Sequence, residues 1–280
     1  MDSKEFGLVA AQQLFQVEDL HYGFWEIGEQ PSFQNLQRAQ ENHTEFLLKH
    51  IITQGTAGKI LDIGCGIGNT TQKLLSQGHR VDGLVPSEWM ARIARKKVSP
   101  FANHDRGKVF FCPLEDLPVT RLQEKYTLVF FSESYQYVNM QKAFSVIDKI
   151  LIDQGKVVIF DFFKKDNAKG KSPLKGGHSL RQFYEIVTDN GYIMTENIDV
   201  TKNLSPNLTL VNEMLVQRLI PFSNSLDNFL SHKHKLTYRL IKWLLRKKID
   251  KAKFKYSEQR NAENFQKYKS YRLIVLTRKK

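Results

Sequence analysis

The sequence predicts an α/β fold, a doubly wound and mostly parallel sheet, on three observations. Apolar runs of strand length alternate with stretches of helical character from residue 59 to residue 162. The first of these runs, KILDI, contains an acid and opens into three alternating glycines. A last apolar run at 271–277 returns after a long, basic insertion. Strands separated by helices are joined in parallel by crossover connections, which places any ligand at the carboxyl ends of the strands.

Taken in order, Ile60, Leu61 and Ile63 suit a strand buried on both faces. Gly64, Gly66 and Gly68 fill the turn after it, where glycine tolerates left-handed backbone and lets N–H groups approach a ligand. Asn69, Thr70 and Thr71 are expected to cap a helix that residues 72–75 continue. Residues 80–85 read as a second strand, 87–97 as a helix and 108–112 as a third strand. A fourth strand follows at 126–131, a helix at 141–151, and a fifth strand at 156–162 after an Asp153-Gln154-Gly155 turn. A helix at 179–188, a strand at about 192–200 and the final strand complete the series.

The glycine spacing separates two ligand classes. A dinucleotide fingerprint, G-x-G-x-x-G, needs a third glycine at position 69, where this chain has Asn69. Asp62 would repel a pyrophosphate at the mouth of the turn, whereas it can accept hydrogen bonds from an ammonium group. S-adenosylmethionine carries that ammonium, and its carboxylate suits the glycine amides. The expected cofactor contacts here are Asp62, Gly64, Cys65, Gly66 and Gly68; an ordinary glycine-rich strand-to-helix turn is the alternative.

With these residues in view, LDIGCGIGN resembles the first motif of the class I S-adenosylmethionine-dependent methyltransferases. The likeness covers about residues 59–163 and the last strand. It implies a Rossmann-like, seven-stranded sheet with a helical cap inserted before that strand. The chain then divides into a helical segment over the cofactor at 1–58, the core at 59–200 and 268–280, and a substrate cap at 201–267. It also departs from the family. Where the second strand usually ends in an acid that binds the ribose, this chain has Val85, followed by Pro86 and Ser87. Asp82 is no substitute, because an odd offset along a strand points it to the other face. The cyclopropane fatty-acid synthase, sterol and tocopherol methyltransferase subgroup tolerates that loss, which leaves Ser87 or backbone groups to hold the ribose. Pro113 replaces a second frequent acid, so Leu114 and Glu115 are the candidates for the adenine edge.

The stretch DLHYGFW, from Asp19 to Trp25, resembles the same subgroup's segment before its first helix. Tyr22 is expected over the sulfonium, which an aromatic face stabilises by ~0.5–2 kcal/mol, and His21 beside the substrate. Packing of these aromatics onto the sheet is the competing explanation. The fourth strand runs into Ser132-Glu133-Ser134-Tyr135-Gln136-Tyr137, which resembles the subgroup's E-S-x-x-H stretch with Tyr137 in the histidine's place. Glu133 and Tyr137 are therefore the catalytic candidates, Ser132 a cofactor contact and Tyr135 a substrate contact. Glu133 as a cap of the following turn is the bland alternative. The basic loop at 164–177 precedes His178, a candidate for an anionic group on the acceptor.

Charge is uneven. Residues 231–280 hold 17 Lys+Arg and 3 Asp+Glu, net +14 against +13 for the whole chain, which leaves −1 for the first 230. Leu236, Leu240, Ile241, Leu244 and Leu245 form an apolar stripe with Arg239, Lys242, Arg246 and Lys247 mostly off it. Peripheral contact with an anionic membrane fits a lipid-like acceptor; nucleic acid is disfavoured, because no RNA-binding motif accompanies the basic face; a solvated face is the third explanation. The first residues lack the charged and apolar regions of a signal peptide, and no apolar run reaches the ~20 residues of a membrane span. Cys65 and Cys112 are too few for a disulfide framework, and no Cys/His spacing suggests a metal site. A reducing cytoplasm is the expected compartment. The expected substrate is a small, hydrophobic acceptor, lipid, prenyl or polyketide-like; N- or O-methylation of a small polar metabolite, or a catalytically silent relative that binds the cofactor, are the alternatives.

Overall fold

A computed structural model describes residues 17–19, 21–53, 58–103, 105–122, 125–213 and 259–279, together with positions 9, 13, 221 and 225. The basic stripe at 236–245 and most of the cap at 201–267 lie outside the described residues.

The sheet has seven strands in the order β3-β2-β1-β4-β5-β7-β6. They are β1 (Lys59–Ile63), β2 (Arg80–Val85), β3 (Val109–Phe111), β4 (Tyr126–Ser132), β5 (Leu151–Lys164), β6 (Tyr192–Asp199) and β7 (Lys269–Arg278). β1 to β5 pair in parallel, whereas β7 inserts antiparallel between β5 and β6. The helices are α1 (Leu36–Thr53), α2 (Asn69–Ser76), α3 (Glu88–Val98), α4 (Met140–Ile150), α5 (Leu180–Asp189), α6 (Thr201–Leu204), α7 (Pro206–Asn212) and α8 (Ala262–Tyr268). The strand order reverses between β1 and β4, and at such a switch point two neighbouring crossovers leave on opposite faces and open a crevice.

Each face of the sheet buries its own core, because side chains alternate along every strand. On one face Leu61, Ile63, Val129 and Phe131 meet Phe144 and Ile147 of α4. On the other, Ile60, Leu128 and Phe130 meet Leu47, Leu48 and Ile51 of α1 and Ala91 and Ala94 of α3. Full burial of such a side chain stabilises by ~1.5–3 kcal/mol. Asp82 faces away from Val85 as the alternation requires. It is fully buried, ion-paired with Lys59 at 2.7 Å, and accepts hydrogen bonds from the Tyr126 hydroxyl at 2.9 Å and the Lys108 amide at 3.0 Å. Its role is structural.

Two local expectations are corrected. β5 begins at Leu151 rather than after a turn: the ladder to β4 jumps from Tyr126↔Leu151 to Leu128↔Lys156, so Asp153-Gln154-Gly155 forms a bulge inside one long strand. Gln154, not Gly155, takes the left-handed backbone there, at φ 58°. The helix after the glycine turn is capped by Gly68, at φ 86°, with no side-chain bond. Asn69 and Thr71 are engaged elsewhere. The Asn69 amide donates to Asp19 Oδ2 at 2.9 Å, and the Thr71 hydroxyl donates to Asp62 Oδ2 at 2.7 Å.

Candidate functional site

At the carboxyl ends of β1, β2 and β4 a cavity of about 380 Å³ opens, within the ~300–1,000 Å³ of small-molecule sites. Asp62 forms its floor, fully out of water, with Thr71 its side-chain partner. Burial pushes its pKa up to about 7, against the pull of the Thr71 hydrogen bond. The turn above it is built from positive backbone angles, φ 86° at Gly64 and 56° at Gly66. A Cβ on Gly64 would collide with Ser134, so only glycine fits there; a Cβ on Gly66 would meet open space. The amides of Gly64 and Cys65 donate to the Leu84 carbonyl at 2.8 and 3.0 Å, and that of Gly68 to the Cys65 carbonyl at 2.8 Å. Those amides are spent on the turn itself; the Gly66 and Ile67 amides make none of these bonds, and of the two residues Gly66 lines the cavity.

Glu133 stands at the rim with a left-handed backbone, φ 51°, a conformation that costs a non-glycine residue ~1–3 kcal/mol. It does not cap the 3-10 turn of Tyr135–Tyr137, which starts at Ser134. Its Oε1 accepts instead from the Tyr22 amide at 3.0 Å and the Tyr271 hydroxyl at 2.8 Å, with His43 Nε2 at 3.8 Å. Burial raises its pKa, opposed by the charge of His21 and by these two bonds. His21 lies 3.5 Å from Asp19 and donates from Nδ1 to the Tyr22 carbonyl at 3.0 Å. Burial lowers the His21 pKa, but the bond to Asp19 and the charges of Asp19 and Glu133 raise it overall. His43, stacked on His21 with centroids 4.4 Å apart, is held neutral by burial and by that neighbouring charge.

The other end of the cavity is carbon. Leu84, Val85, Pro86, Met90, Pro113, Leu114 and Val138 line it, with Ser87 and Glu115 the polar side chains among them. The Ser87 hydroxyl caps α3 by accepting from the Met90 amide at 3.3 Å.

Of the residues expected from the sequence, the cavity gathers His21, Asp62, Gly64, Cys65, Gly66, Val85, Ser87, Leu114, Glu115, Ser132, Glu133 and Tyr137. Tyr137 is exposed. Gly68 is set back, at the head of α2. Three residues are placed elsewhere. The Tyr22 ring packs on Phe265 and Tyr271, and it is the backbone amide of Tyr22 that reaches the rim. Tyr135 is buried in the core against Phe131 and Phe183, so it cannot meet a substrate. His178 Nε2 bonds the Tyr135 carbonyl at 3.1 Å and braces the turn from behind. Sequence reading missed Asp19, Thr70, Met90, Ser134 and Val138 in the lining, and His43 and Tyr271 behind Glu133. Asp19 alone had a signal, as the first residue of DLHYGFW.

Charge decides what such a cavity can hold. Four carboxylates, those of Asp19, Asp62, Glu115 and Glu133, line it with His21, and among the described residues no lysine or arginine does. It is built for a cation and against a phosphate. Residues 60–155 match the methyltransferase-domain family. That match and the seven-stranded fold support a class I S-adenosylmethionine-dependent methyltransferase. Among its relatives is an uncharacterized methyltransferase of Staphylococcus carnosus, 25% identical over 179 residues, 61% of this chain and 80% of that one. Another, from Oceanobacillus iheyensis, is 27% identical over 128 residues, 45% of this chain and 57% of the relative. In fold the methyltransferase matches the crystal structure of geranyl diphosphate C-methyltransferase from Streptomyces coelicolor, with TM-score 0.68 and 18% identity over 95% of this chain and 92% of that one. The cofactor fits the donor set. Asp62 would hold the ammonium and Gly66 the carboxylate, with the carbon-lined end left for the adenosine. Among the described residues no group of three or more His, Cys, Asp or Glu could hold a metal ion, and no helix is long and apolar enough to cross a membrane.

Proposed function

We propose that this methyltransferase acts on a small, hydrophobic acceptor, lipid, prenyl or polyketide-like, with Glu133 orienting it or taking its proton. The position of Glu133 carries the reading. Its carboxyl is at the cavity rim, fixed by two donors from distant parts of the chain, and burial raises its pKa above the ordinary carboxylate value, which makes it a stronger base. Behind it Tyr22, Phe162, Phe265 and Tyr271 pack ring on ring, and the carbon of Leu84, Val85, Met90 and Val138 in the cavity suits an apolar ligand. The fold shared with a geranyl diphosphate C-methyltransferase supports the same class. Residues of the 201–267 segment cover the acceptor in this reading, and its basic stripe makes peripheral contact with anionic lipid.

The cofactor supplies an electrophilic methyl already activated at a sulfonium. The protein's task is then placement, which in favourable cases contributes ~7–11 kcal/mol. Pure protein incubated with labelled cofactor and a lipid extract should label a hydrophobic product; label confined to polar metabolites would refute the acceptor class. On the identified acceptor, Glu133→Gln should lower kcat by ~10²-fold or more with little change in cofactor affinity, because a base acts in the transition state. Unchanged turnover would leave Glu133 with only its role of anchoring the Tyr22 segment.

A further inference from the structure

We infer that this enzyme does not read the ribose hydroxyls of its cofactor, and that it accepts sulfonium nucleosides whose sugar lacks one of them. The inference rests on the cofactor assignment and goes beyond it to what the pocket recognises. Asp62 and the glycine turn fix the charged, amino-acid end at β1, so the nucleoside can extend only along the ends of β2 and β3. There the wall is Leu84, Val85, Pro86, Met90, Pro113 and Val138. A vicinal diol is held by acceptors, best by a carboxylate that takes both hydroxyls at once. The last residue of β2 is a buried valine, 3% exposed, whose side chain has no atom that can accept a hydrogen bond, so only its backbone carbonyl is left to do so.

Two polar side chains remain. Ser87 has an oxygen committed to the first turn of α3, where it accepts the Met90 amide, so it is positioned as a cap. Glu115 belongs to the 3-10 turn of Leu114–Asp116 and is exposed, so water competes for its carboxylate. The buried carboxylate Asp62 and the half-buried Glu133 are at the opposite end. This difference decides the specificity. A site built to bond a hydroxyl rejects the ligand without it by ~10⁴–10⁵-fold, whereas an apolar site is close to indifferent and discriminates by ~10²-fold at most. The sugar is therefore held by contact with carbon, and the affinity comes from the charged end.

The test uses the intact protein and binding alone. S-adenosylhomocysteine and its 2′-deoxy and 3′-deoxy analogues are titrated by calorimetry. Kd values within ~10-fold of one another are expected. A loss above ~10-fold on removing either hydroxyl overturns the inference while leaving the cofactor assignment intact, whereas failure of S-adenosylhomocysteine itself to bind overturns the assignment. Glu115→Gln separates the remaining case: the ratio of Kd values between S-adenosylhomocysteine and its deoxy analogues should stay as in the wild type, and a ratio that shifts by more than ~10-fold makes Glu115 the sugar's reader and the inference wrong. Val85→Glu supplies the missing acceptor, so in that variant S-adenosylhomocysteine should bind at least ~10-fold more tightly than its 2′-deoxy analogue.

Discussion

At the β1 end of the cavity the buried Asp62 and the half-buried Asp19, His21 and Glu133 bring ionisable groups together, whereas at the β2–β3 end Leu84, Val85, Met90 and Pro113 present carbon. The same sheet edge thus recognises its ligand in two ways. At the first end a cation is stabilised by charge in a medium of low dielectric, where position and protonation both matter. At the second end fit matters, and the penalty for a wrong polar atom is modest. Substitutions at the two ends should therefore differ in size and in pH dependence.

Gly66→Arg should have the largest effect. A Cβ at Gly66 points into open space, so a long basic side chain enters the cavity without disturbing the sheet, places a cation where one must bind, and blocks the turn. Cofactor binding should fall by more than ~10³-fold in calorimetry, with the left-handed angle at this position costing stability only ~1–2 kcal/mol. Retained binding would mean that the turn does not hold the charged end.

Asp62→Asn comes next, with a loss of cofactor affinity of ~10²-fold, the scale of a charge-assisted bond to a buried group. The pH dependence is sharper evidence. With a pKa of about 7, Asp62 holds a proton below that value in the free protein, and a bound ammonium must displace it. Affinity for S-adenosylmethionine should therefore fall by up to tenfold per unit as pH drops below about 7 and be flat above it. The asparagine variant should show neither the slope nor the proton release seen in buffers of different ionisation enthalpy. Stability moves the other way. A carboxyl whose pKa is raised on folding contributes stability that is present below its unfolded pKa, near 3.8, and lost as pH rises through about 7. The variant should gain on the wild type across that interval in thermal melts.

Ser87→Ala should have the smallest effect. Loss of the cap on α3 costs ~1 kcal/mol of stability, while cofactor affinity should change less than ~3-fold. A large affinity loss with little change in melting temperature would turn the carbon-lined end into a hydrogen-bonding one and erase the contrast.

The sequence disclosed these two ends unequally. β1 to β4 were legible because parallel strands buried on both faces read as continuous apolar runs, and the glycine turn because only glycine tolerates its angles beside Ser134. Val85 was legible as a departure because the family resemblance implies an acid there, and strand alternation excludes Asp82 as its substitute. The surroundings of Glu133 were not. Tyr22 lies 111 residues away from it and Tyr271 138, and no periodicity links such partners. Tyr135 and His178 carried polar groups in a promising place, yet the 3-10 turn rotates Tyr135 into the core and leaves His178 bracing it. Burial of that kind depends on which helix packs behind the strand, and pattern alone does not report it.

The excess of carboxylates in the described lining also distinguishes the cofactor from its product. Methyl transfer turns a positively charged sulfur into a neutral thioether, so the spent nucleoside keeps its shape and the ammonium assigned to Asp62 but loses the second positive charge that an acidic cavity favours. The carbon-lined end cannot tell the two apart. The acidic end can, and it favours each fresh cofactor over the product of the last cycle, so relief from product inhibition is part of the cavity's electrostatics and needs no moving part to enforce it.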